Sequence, residues 1–172
     1  MAIQLLITID DMMQRTSWSG NIDTDKILPH IENAQELEIM PLLGQTTYEQ
    51  LLSMIDDTTI NKPENACWKT LWIDYVTPAL VFFTAEYFLP FHQYTIANAG
   101  VDKPNGDNYE TVRKEEVDFL VQKYRTLADG HAKRMQRYMC NNPNCFSAYC
   151  SALDVVTKQS AEYRVGLFLG GC

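Results

Sequence analysis

Residues 64–91 read ENACWKTLWIDYVTPALVFFTAEYFLPF, and this stretch decides the fold class. Its large apolar residues recur every three to four positions, at Trp68, Leu71, Trp72, Tyr75, Ala79 and Phe83. This spacing predicts an α-helix that is apolar on more than one side and is therefore the most buried element, with a kink at Pro78. The run Val76–Phe91 is shorter than the ~20 residues that span a bilayer and contains Glu86, so a core helix explains it better than a membrane segment.

A helical hairpin is predicted before this segment. Asp23 or Asp25 caps its first helix, and the stretch Pro41–Gly44 ends that helix. The predicted apolar stripe of the first helix is Ile27, Ile31, Ala34 and Leu37. Thr46 and Glu49 have the spacing of a capping box at the start of the second helix. The predicted stripe of that helix is Tyr48, Leu51, Leu52 and Ile55.

A long helix is predicted after the core segment. Gly100–Asn108 has the composition of a loop, and the helix follows from Thr111 to Met139, roughly 40 Å at 1.5 Å per residue. Its predicted apolar register is Val117, Leu120, Tyr124, Leu127, His131, Met135 and Tyr138. The stretch Asn141–Asn144 ends it, and residues 145–157 have the pattern of a short helix.

Both ends of the chain have extended character. Residues 3–9 are apolar and β-branched, which predicts a short strand or extended arm, followed by a turn or short helical piece over Asp10–Asn21. The tail Tyr163–Leu169 is β-prone and apolar. The sequence thus predicts a mainly α fold: a small helical bundle with one long helix, plus short N-terminal and C-terminal extended or β arms. The corresponding divisions are an N-terminal strand or arm (1–22), a helical bundle core (23–140) and a C-terminal arm (141–172).

Charge is unevenly distributed along the chain. The net charge is −8, and residues 1–60, with ten acidic and two basic residues, account for all of it. The stretch 123–137 is basic, with Lys123, Arg125, Lys133, Arg134 and Arg137 against Asp129. A strongly acidic chain binds DNA or an anionic membrane poorly without specific contacts. The asymmetry suits pairing between copies of the chain, and a solvated face is the simpler alternative.

The residues with chemical potential give no catalytic or metal pattern. The five cysteines are Cys67, Cys140, Cys145, Cys150 and Cys172. We expect free thiols, because no secretory signal opens the chain and the cytoplasm is reducing. Cys140, Cys145 and Cys150 lack the tight spacing and fourth ligand of structural zinc, so no metal is expected. Nucleotide-binding, hydrolase and calcium-loop motifs are missing, and the three histidines are isolated, with His131 in a core register. We expect no enzyme activity and no cofactor.

Two stretches resemble a known family. They are Asp25–Leu52 (DKILPHIENAQELEIMPLLGQTTYEQLL), with its helix–PLLG–helix layout, and Ile96–Tyr138, in which NAGVDKPNGDN leads into a long helix. Together they resemble small helical proteins of phages and prophages of Bacteroides-type bacteria, including crAss-like phages. That family is similar to the head-to-tail connector proteins of tailed phages, also called adaptor or head-completion proteins.

The resemblance implies a ring of identical subunits, usually twelvefold, in the neck of the virion. Its partners would be the portal protein, the next tail or neck ring protein and DNA passing through the lumen without sequence-specific binding. It implies a virion location after synthesis in the bacterial host cytoplasm, with no membrane contact. The alternative is a cytoplasmic helical regulator or binding module, with a small ligand held among the tryptophans.

Two sets of interface residues follow from this hypothesis. A closed ring needs two different, complementary sides on each subunit. We expect the basic residues Lys133, Arg134 and Arg137 of one subunit to face the acidic residues Glu32, Glu36 and Asp56 of the next. Such exposed pairs contribute ~0–1 kcal/mol each, and contact of the arginines with DNA phosphates is a further alternative. We expect the tail residues Val165, Leu167, Phe168 and Leu169 to dock on the portal or another partner.

Overall fold

The computed structural model describes residues 4–18, 23–92, 95–97, 100–102, 114–146 and 149. Its α-helices are α1 (Ile9–Arg15), α2 (Thr24–Ala34), α3 (Met40–Leu43), α4 (Gln45–Asp56), α5 (Ala66–Thr70), α6 (Thr77–His92) and α7 (Lys114–Asn141). A first π turn (Gln35–Ile39) joins α2 to α3, and a second π turn (Leu71–Val76) joins α5 to α6. Two 3-10 turns, Thr59–Asn61 and Pro63–Asn65, precede α5. The fold is mainly α, as the sequence predicts.

The segment from α5 to α6 is the centre of the molecule, as predicted. Residues 76–81 are buried without interruption, and α7 and α2 both pack against α6. The large side chains of Phe83 and Leu80 are buried at its centre, and Trp68 is buried further towards the N-terminus. No helix among the described residues is long and apolar enough to cross a membrane.

The two π turns share one physical cause. Each is closed by an N–H that donates five residues back, from Met40 to Gln35 and from Thr77 to Trp72. Each is followed by a proline, Pro41 or Pro78, which has no N–H to donate and whose ring would clash with the carbonyl four residues earlier. The wider turn relieves that clash, which is a common use of π-bulges.

The first π turn changes which residues face the core. Ile27, Ile31 and Ala34 are buried, as predicted, but Leu37 is 62% exposed. The extra residue in the turn rotates the chain, so that Gln35 and Ile39 occupy the buried positions. The prediction for Leu37 was therefore wrong, because it assumed an unbroken period of 3.6 residues.

Gly44 alone separates α3 from α4. Its φ of +77° lies in the region that favours glycine, and it is both the C-cap of α3 and the N-cap of α4. The predicted capping box was wrong: Thr46 lies inside α4, and no side chain caps this helix. The apolar stripe of α4 is confirmed, with Tyr48 and Leu51 buried.

The N-terminal residues do not form the predicted strand. Residues 4–8 have no regular structure, and Thr8 caps α1 in a capping box with Asp11. Leu6 is fixed against the bundle: its N–H donates to Gln35 Oε1 (2.8 Å), and its carbonyl accepts from Trp72 Nε1 (2.8 Å). Burial of Leu6 outweighs the β propensity of this segment.

A short hairpin lies where a loop was expected. Strand β1 (Thr95–Ala97) pairs antiparallel with β2 (Gly100–Asp102), with Ile96 opposite Val101. The prediction of a loop was wrong for residues 100–102, because β-branched residues favour strand pairing beside a short turn. Residues 103–108 lie outside the described part.

The long helix is confirmed, but its predicted register is partly wrong. The buried positions of α7 are Val117, Ala128, Ala132, Met135 and Met139. Leu120 and Leu127 are 43% and 46% exposed. The small alanines allow α7 to lie close against α6, so the larger Leu127 falls outside the contact. Asn141 ends the helix, as expected, and the Asn142 amide donates to the carbonyl of Tyr138 (2.8 Å).

Cys67 and Cys145 form a disulfide, with their Cα atoms 6.7 Å apart. The expectation of free thiols was wrong for this pair. Edge-to-face packing of Phe146 on Trp68 (4.9 Å between ring centres) and a bond from the Tyr138 hydroxyl to the Cys67 carbonyl (3.2 Å) bring the two segments together. These tertiary contacts join residues that are 78 positions apart.

Candidate functional site

The predicted basic residues lie on the C-terminal third of α7, and all three are exposed. Lys133, Arg134 and Arg137 make no ion pair with any described residue. The Arg134 guanidinium lies over the ring of Tyr75, 5.6 Å from its centre. The basic set is therefore available to solvent or to a partner.

The predicted acidic residues are likewise uncompensated within the described residues. Glu36 and Asp56 are exposed and Glu32 is half-buried, and no basic side chain of that part lies within ion-pair distance of them. Burial raises the pKa of Tyr48, and the hydrogen bond from Gln35 lowers it. The negative charge of Glu36 raises it further, so Glu36 influences the nearby Tyr48. No ion pair of the described residues joins the acidic set to the basic set.

The predicted docking residues of the tail, Val165, Leu167, Phe168 and Leu169, lie outside the described residues. Cys150 also lies outside the described residues. Cys145 is held in the disulfide, so it offers no thiolate to a metal ion. Within the described ranges, no three His, Cys, Asp or Glu side chains cluster as metal ligands would.

Arg125 does not belong to the free basic surface with which the sequence grouped it. Its Nη1 contacts Glu38 (2.9 Å) and Glu86 (3.5 Å), and its Nε contacts Asp129 (3.3 Å). The side chains of Glu38 and Glu86 are only 18% and 19% exposed. The network therefore braces α7 against α6 and the first π turn.

The pKa shifts in this network show which interaction dominates at each group. Burial lowers the pKa of Arg125, but the hydrogen bond to Glu38 and the surrounding carboxylates outweigh it, so the pKa is raised. Burial raises the pKa of Glu86 by more than Arg125 lowers it. The guanidinium lies closer to Glu38 than to Glu86, so its charge only partly offsets the effect of burial on Glu86. The negative charge of Glu38 raises the pKa of Glu86 further.

A cleft of about 240 Å³ lies beside the basic set, where α7 ends against the second π turn. It is lined by Tyr75, Arg134, Arg137, Tyr138, Asn141 and Asn142. The rings of Tyr75 and Tyr138 stack, with centres 4.4 Å apart. The sequence analysis missed this cleft, although the spacing of Arg134, Arg137, Tyr138 and Asn141 places them on one helix face.

The histidines with described side chains take part in aromatic packing. His131 stacks on Phe82 (5.3 Å), and burial together with the charges of Arg134 and Arg15 lowers its pKa. His30 packs on Phe88 and Phe91, and burial lowers its pKa as well. Both imidazoles therefore favour the neutral form at neutral pH. This packing agrees with the core role expected for His131.

A protein-family model matches residues 39–157, and its description is a family of unknown function (DUF6712). The match begins at the last residue of the first π turn and extends beyond α7, so it includes the basic set, the cleft and every member of the Arg125 network except Glu38. Neither the curated proteins nor the solved structures contain a significant match to the chain.

Proposed function

The chain belongs to DUF6712, a family of unknown function, and we propose that it is a structural subunit of a tailed-phage virion, a head-to-tail connector. In this role it forms a ring that links the portal protein to the next tail or neck protein. It binds copies of itself and needs no catalytic residue or cofactor. The ring is made in the bacterial host cytoplasm, becomes part of the virion neck and allows DNA to pass through its lumen.

One observation carries the proposal: two sets of opposite charge, exposed except for the half-buried Glu32, are left without ion pairs in the described part of the chain. A subunit of a closed ring offers one surface to the neighbour on one side and a different surface to the neighbour on the other. Lys133, Arg134 and Arg137 supply a positive surface, and Glu32, Glu36 and Asp56 supply a negative one. Such complementary charges steer association and fix its orientation.

Exposed apolar residues on α7 also support a role in assembly. Phe119, Leu120 and Leu127 are all more than 40% exposed and lie within about two turns of one helix. Lys123 covers one face of Phe119, with its Nζ 5.2 Å from the ring centre. A neighbouring subunit that covers this surface would remove apolar area from water.

The net charge of −8 supports the role of a channel rather than that of a DNA-binding protein. Affinity for DNA rests mainly on neutralising its phosphates with lysine and arginine. Residues 1–60 carry all of the excess negative charge, so a lumen lined by this part of the chain would repel DNA and let it slide.

Docking of the purified protein on purified portal rings tests this function. We expect stoichiometric binding by the full chain and loss of binding after deletion of residues 161–172, which carry the apolar tail. The matched control keeps the chain length and replaces Val165, Leu167, Phe168 and Leu169 by serine. We expect it to fail as the deletion does. Full docking by both variants would show that the tail is not the anchor, and failure of the full chain would contradict the connector role.

The alternative is a helical module that binds a small ligand, and the cleft beside Tyr75 is the observation that favours it. The tryptophans among which that ligand was expected make other contacts: Trp18 packs on Phe88, Trp68 packs on Phe146, and Trp72 donates to the Leu6 carbonyl. The mass of the purified protein separates the two functions, because a self-contained module is expected to be a monomer and a connector subunit an oligomer.

A further inference from the structure

The cleft beside Tyr75 presents positive charge and no carboxylate. Arg134 and Arg137 lie one turn apart on α7 and both line it, with the Asn141 amide one turn further on. Asp74 lies close enough for its charge to raise the pKa of Tyr138, but it does not line the cleft. Guanidinium and amide donors of this kind bind carboxylates or phosphates.

The wall of the cleft formed by Tyr75, Tyr138 and Asn142 is held by contacts within the protein. The Tyr138 ring is held between Tyr75 and a hydrogen bond to the Cys67 carbonyl. The Asn142 side chain donates to the Tyr138 carbonyl, and the disulfide at Cys145 fixes the chain three residues further on. A preformed site loses less entropy on binding than a mobile one.

The size of the cleft limits what it can hold. Its volume of about 240 Å³ is below the ~300–1,000 Å³ of sites for drug-sized ligands. One acidic side chain fits this volume, whereas a nucleotide cofactor does not. Two residues before Tyr75, the same π turn carries Ile73, which is 40% exposed and whose carbonyl accepts from Arg15 (3.5 Å). The second π turn thus supplies both a wall of the basic cleft and an exposed apolar side chain.

The first π turn carries a matching surface. Glu36 is exposed, and its neighbour Leu37 is 62% exposed because the π turn has rotated it away from the core. An acidic side chain and an exposed aliphatic side chain thus lie next to each other. They are complementary in charge to the basic cleft and in polarity to the exposed Ile73 of the second π turn.

We propose that the cleft lined by Arg134 and Arg137 receives the Glu36 carboxylate of a second copy of this chain, while Leu37 of that copy packs on Ile73. The proposal rests on the proposed function and deepens it by naming the contact between neighbouring subunits. Because the two surfaces differ, each copy uses its cleft towards one neighbour and its π turn towards the other. Repetition of this contact generates a closed ring or a filament.

The first π turn favours a carboxylate of this chain over a nucleic-acid phosphate. The net charge of −8 opposes the approach of a nucleic acid and of a second copy alike, so it does not separate the two ligands. Glu36 of a second copy brings the exposed Leu37 with it, whereas a phosphate brings no apolar group that could be removed from water.

Two variants that fail alone and complement each other test the contact. Glu36→Lys gives a basic π turn beside an unchanged cleft, and Arg134→Glu with Arg137→Glu gives an acidic cleft beside an unchanged π turn. We expect each variant alone to self-associate about tenfold or more weakly than the wild type in sedimentation velocity at low salt. An equimolar mixture should recover association, because each unlike pair again joins opposite charges.

The controls change the same charges elsewhere. Glu115→Lys matches the first variant, and Lys62→Glu with Lys114→Glu matches the second, all at exposed positions outside the cleft. These controls should associate like the wild type, and circular dichroism should show that every variant stays folded. Recovery in the mixture together with normal controls supports the proposal.

Three results would overturn it: wild-type association by both variants, no recovery in the mixture, or a wild type that stays monomeric both alone and on portals. Loss of binding to a single-stranded oligonucleotide in the cleft variant, with unchanged self-association, would assign the cleft to phosphate instead. Portal docking distinguishes failure of this contact from failure of the connector role. Docking that is unaffected by either variant contradicts only this contact, and complementation without any portal docking contradicts only the connector role.

Discussion

Arg125 of α7 and Glu38 of the first π turn form an ion pair, with Nη1 and Oε1 2.9 Å apart. The pair joins residues that are 87 positions apart in the chain, and Glu86 and Asp129 complete the network around the guanidinium. The arginine also lies over the ring of Phe83, 5.2 Å from its centre. The network fixes the position of α7, which carries the basic set and one wall of the cleft.

Arg125→Met should destabilise the protein by about 1–2 kcal/mol, because it leaves the half-buried Glu38 and Glu86 without their cation while the methionine keeps most of the packing on Phe83. Half-exposure of the arginine keeps the loss below that of a fully buried pair. Urea unfolding measures the change. Arg137→Met on the exposed face of α7 is the control and should stay within about 0.5 kcal/mol. Equal effects of the two substitutions would contradict the bracing role.

Glu86→Gln should stabilise the protein at neutral pH, because the pKa of Glu86 is raised in the folded state and its ionised form is disfavoured there. The folded protein binds this proton more tightly than the unfolded chain does. The contribution of Glu86 to stability is therefore fully present below the ordinary pKa of 4.5 and is lost as pH rises through the folded-state pKa. The advantage of the glutamine should shrink as pH falls towards 4.5 in chemical unfolding. An advantage that grows on acidification would contradict this.

Gln35→Leu should cost about 1–3 kcal/mol, because the Gln35 side chain is fully buried and satisfies three polar groups. It accepts from the Leu6 N–H and donates to the Gln4 carbonyl and the Tyr48 hydroxyl. Thermal unfolding measures the loss, and Gln122→Leu on the exposed face of α7 is the control. A neutral effect of Gln35→Leu would mean that these bonds do not hold the N-terminal residues.

Alkylation followed by peptide mapping tests the disulfide. We expect Cys67 and Cys145 to escape iodoacetamide in denaturant without reductant and to react after reduction. Cys67→Ser should lower stability by about 2–4 kcal/mol in the absence of reductant, because the disulfide of the wild type closes a long loop. Cys172→Ser is the control. Five reactive thiols before reduction would contradict the bond between Cys67 and Cys145.

Alanine substitutions test the rotation caused by the first π turn. Leu37→Ala should change the free energy of unfolding by less than about 0.5 kcal/mol, whereas Ile39→Ala should cost about 2–4 kcal/mol, since Ile39 is fully buried. The reverse order would mean that the helix keeps the regular period.

The sequence predicts the elements that depend on local pattern. The apolar spacing of residues 64–91 predicts the buried central helix, Asp23 caps α2, and Asn141 ends α7. The charged interface residues make no ion pair in the described part and all but the half-buried Glu32 are exposed, whereas their contact with a neighbour remains a prediction. These features depend on residues a few positions apart, which a periodic pattern captures.

The remaining features depend on tertiary context. Each of the two π turns precedes a proline, and the first of these turns exposes Leu37. The small Ala128 and Ala132 occupy buried positions of α7, and Leu127 lies outside the core. The Arg125 network and the disulfide join distant residues, so only the i, i+4 spacing of Arg125 and Asp129 gave any local signal. The cleft was missed for the same reason, because Tyr75 and Arg134 belong to different helices.

Cryo-electron microscopy of the virion neck tests the central claim most directly. The particle to image is the phage whose genome, or inducible prophage, encodes this chain. We expect a ring of copies between the portal and the tail, recognisable by the central α5–α6 segment packed against the 28-residue helix α7. A neck resolved at side-chain level, in which every ring is built from other chains, would contradict the connector function.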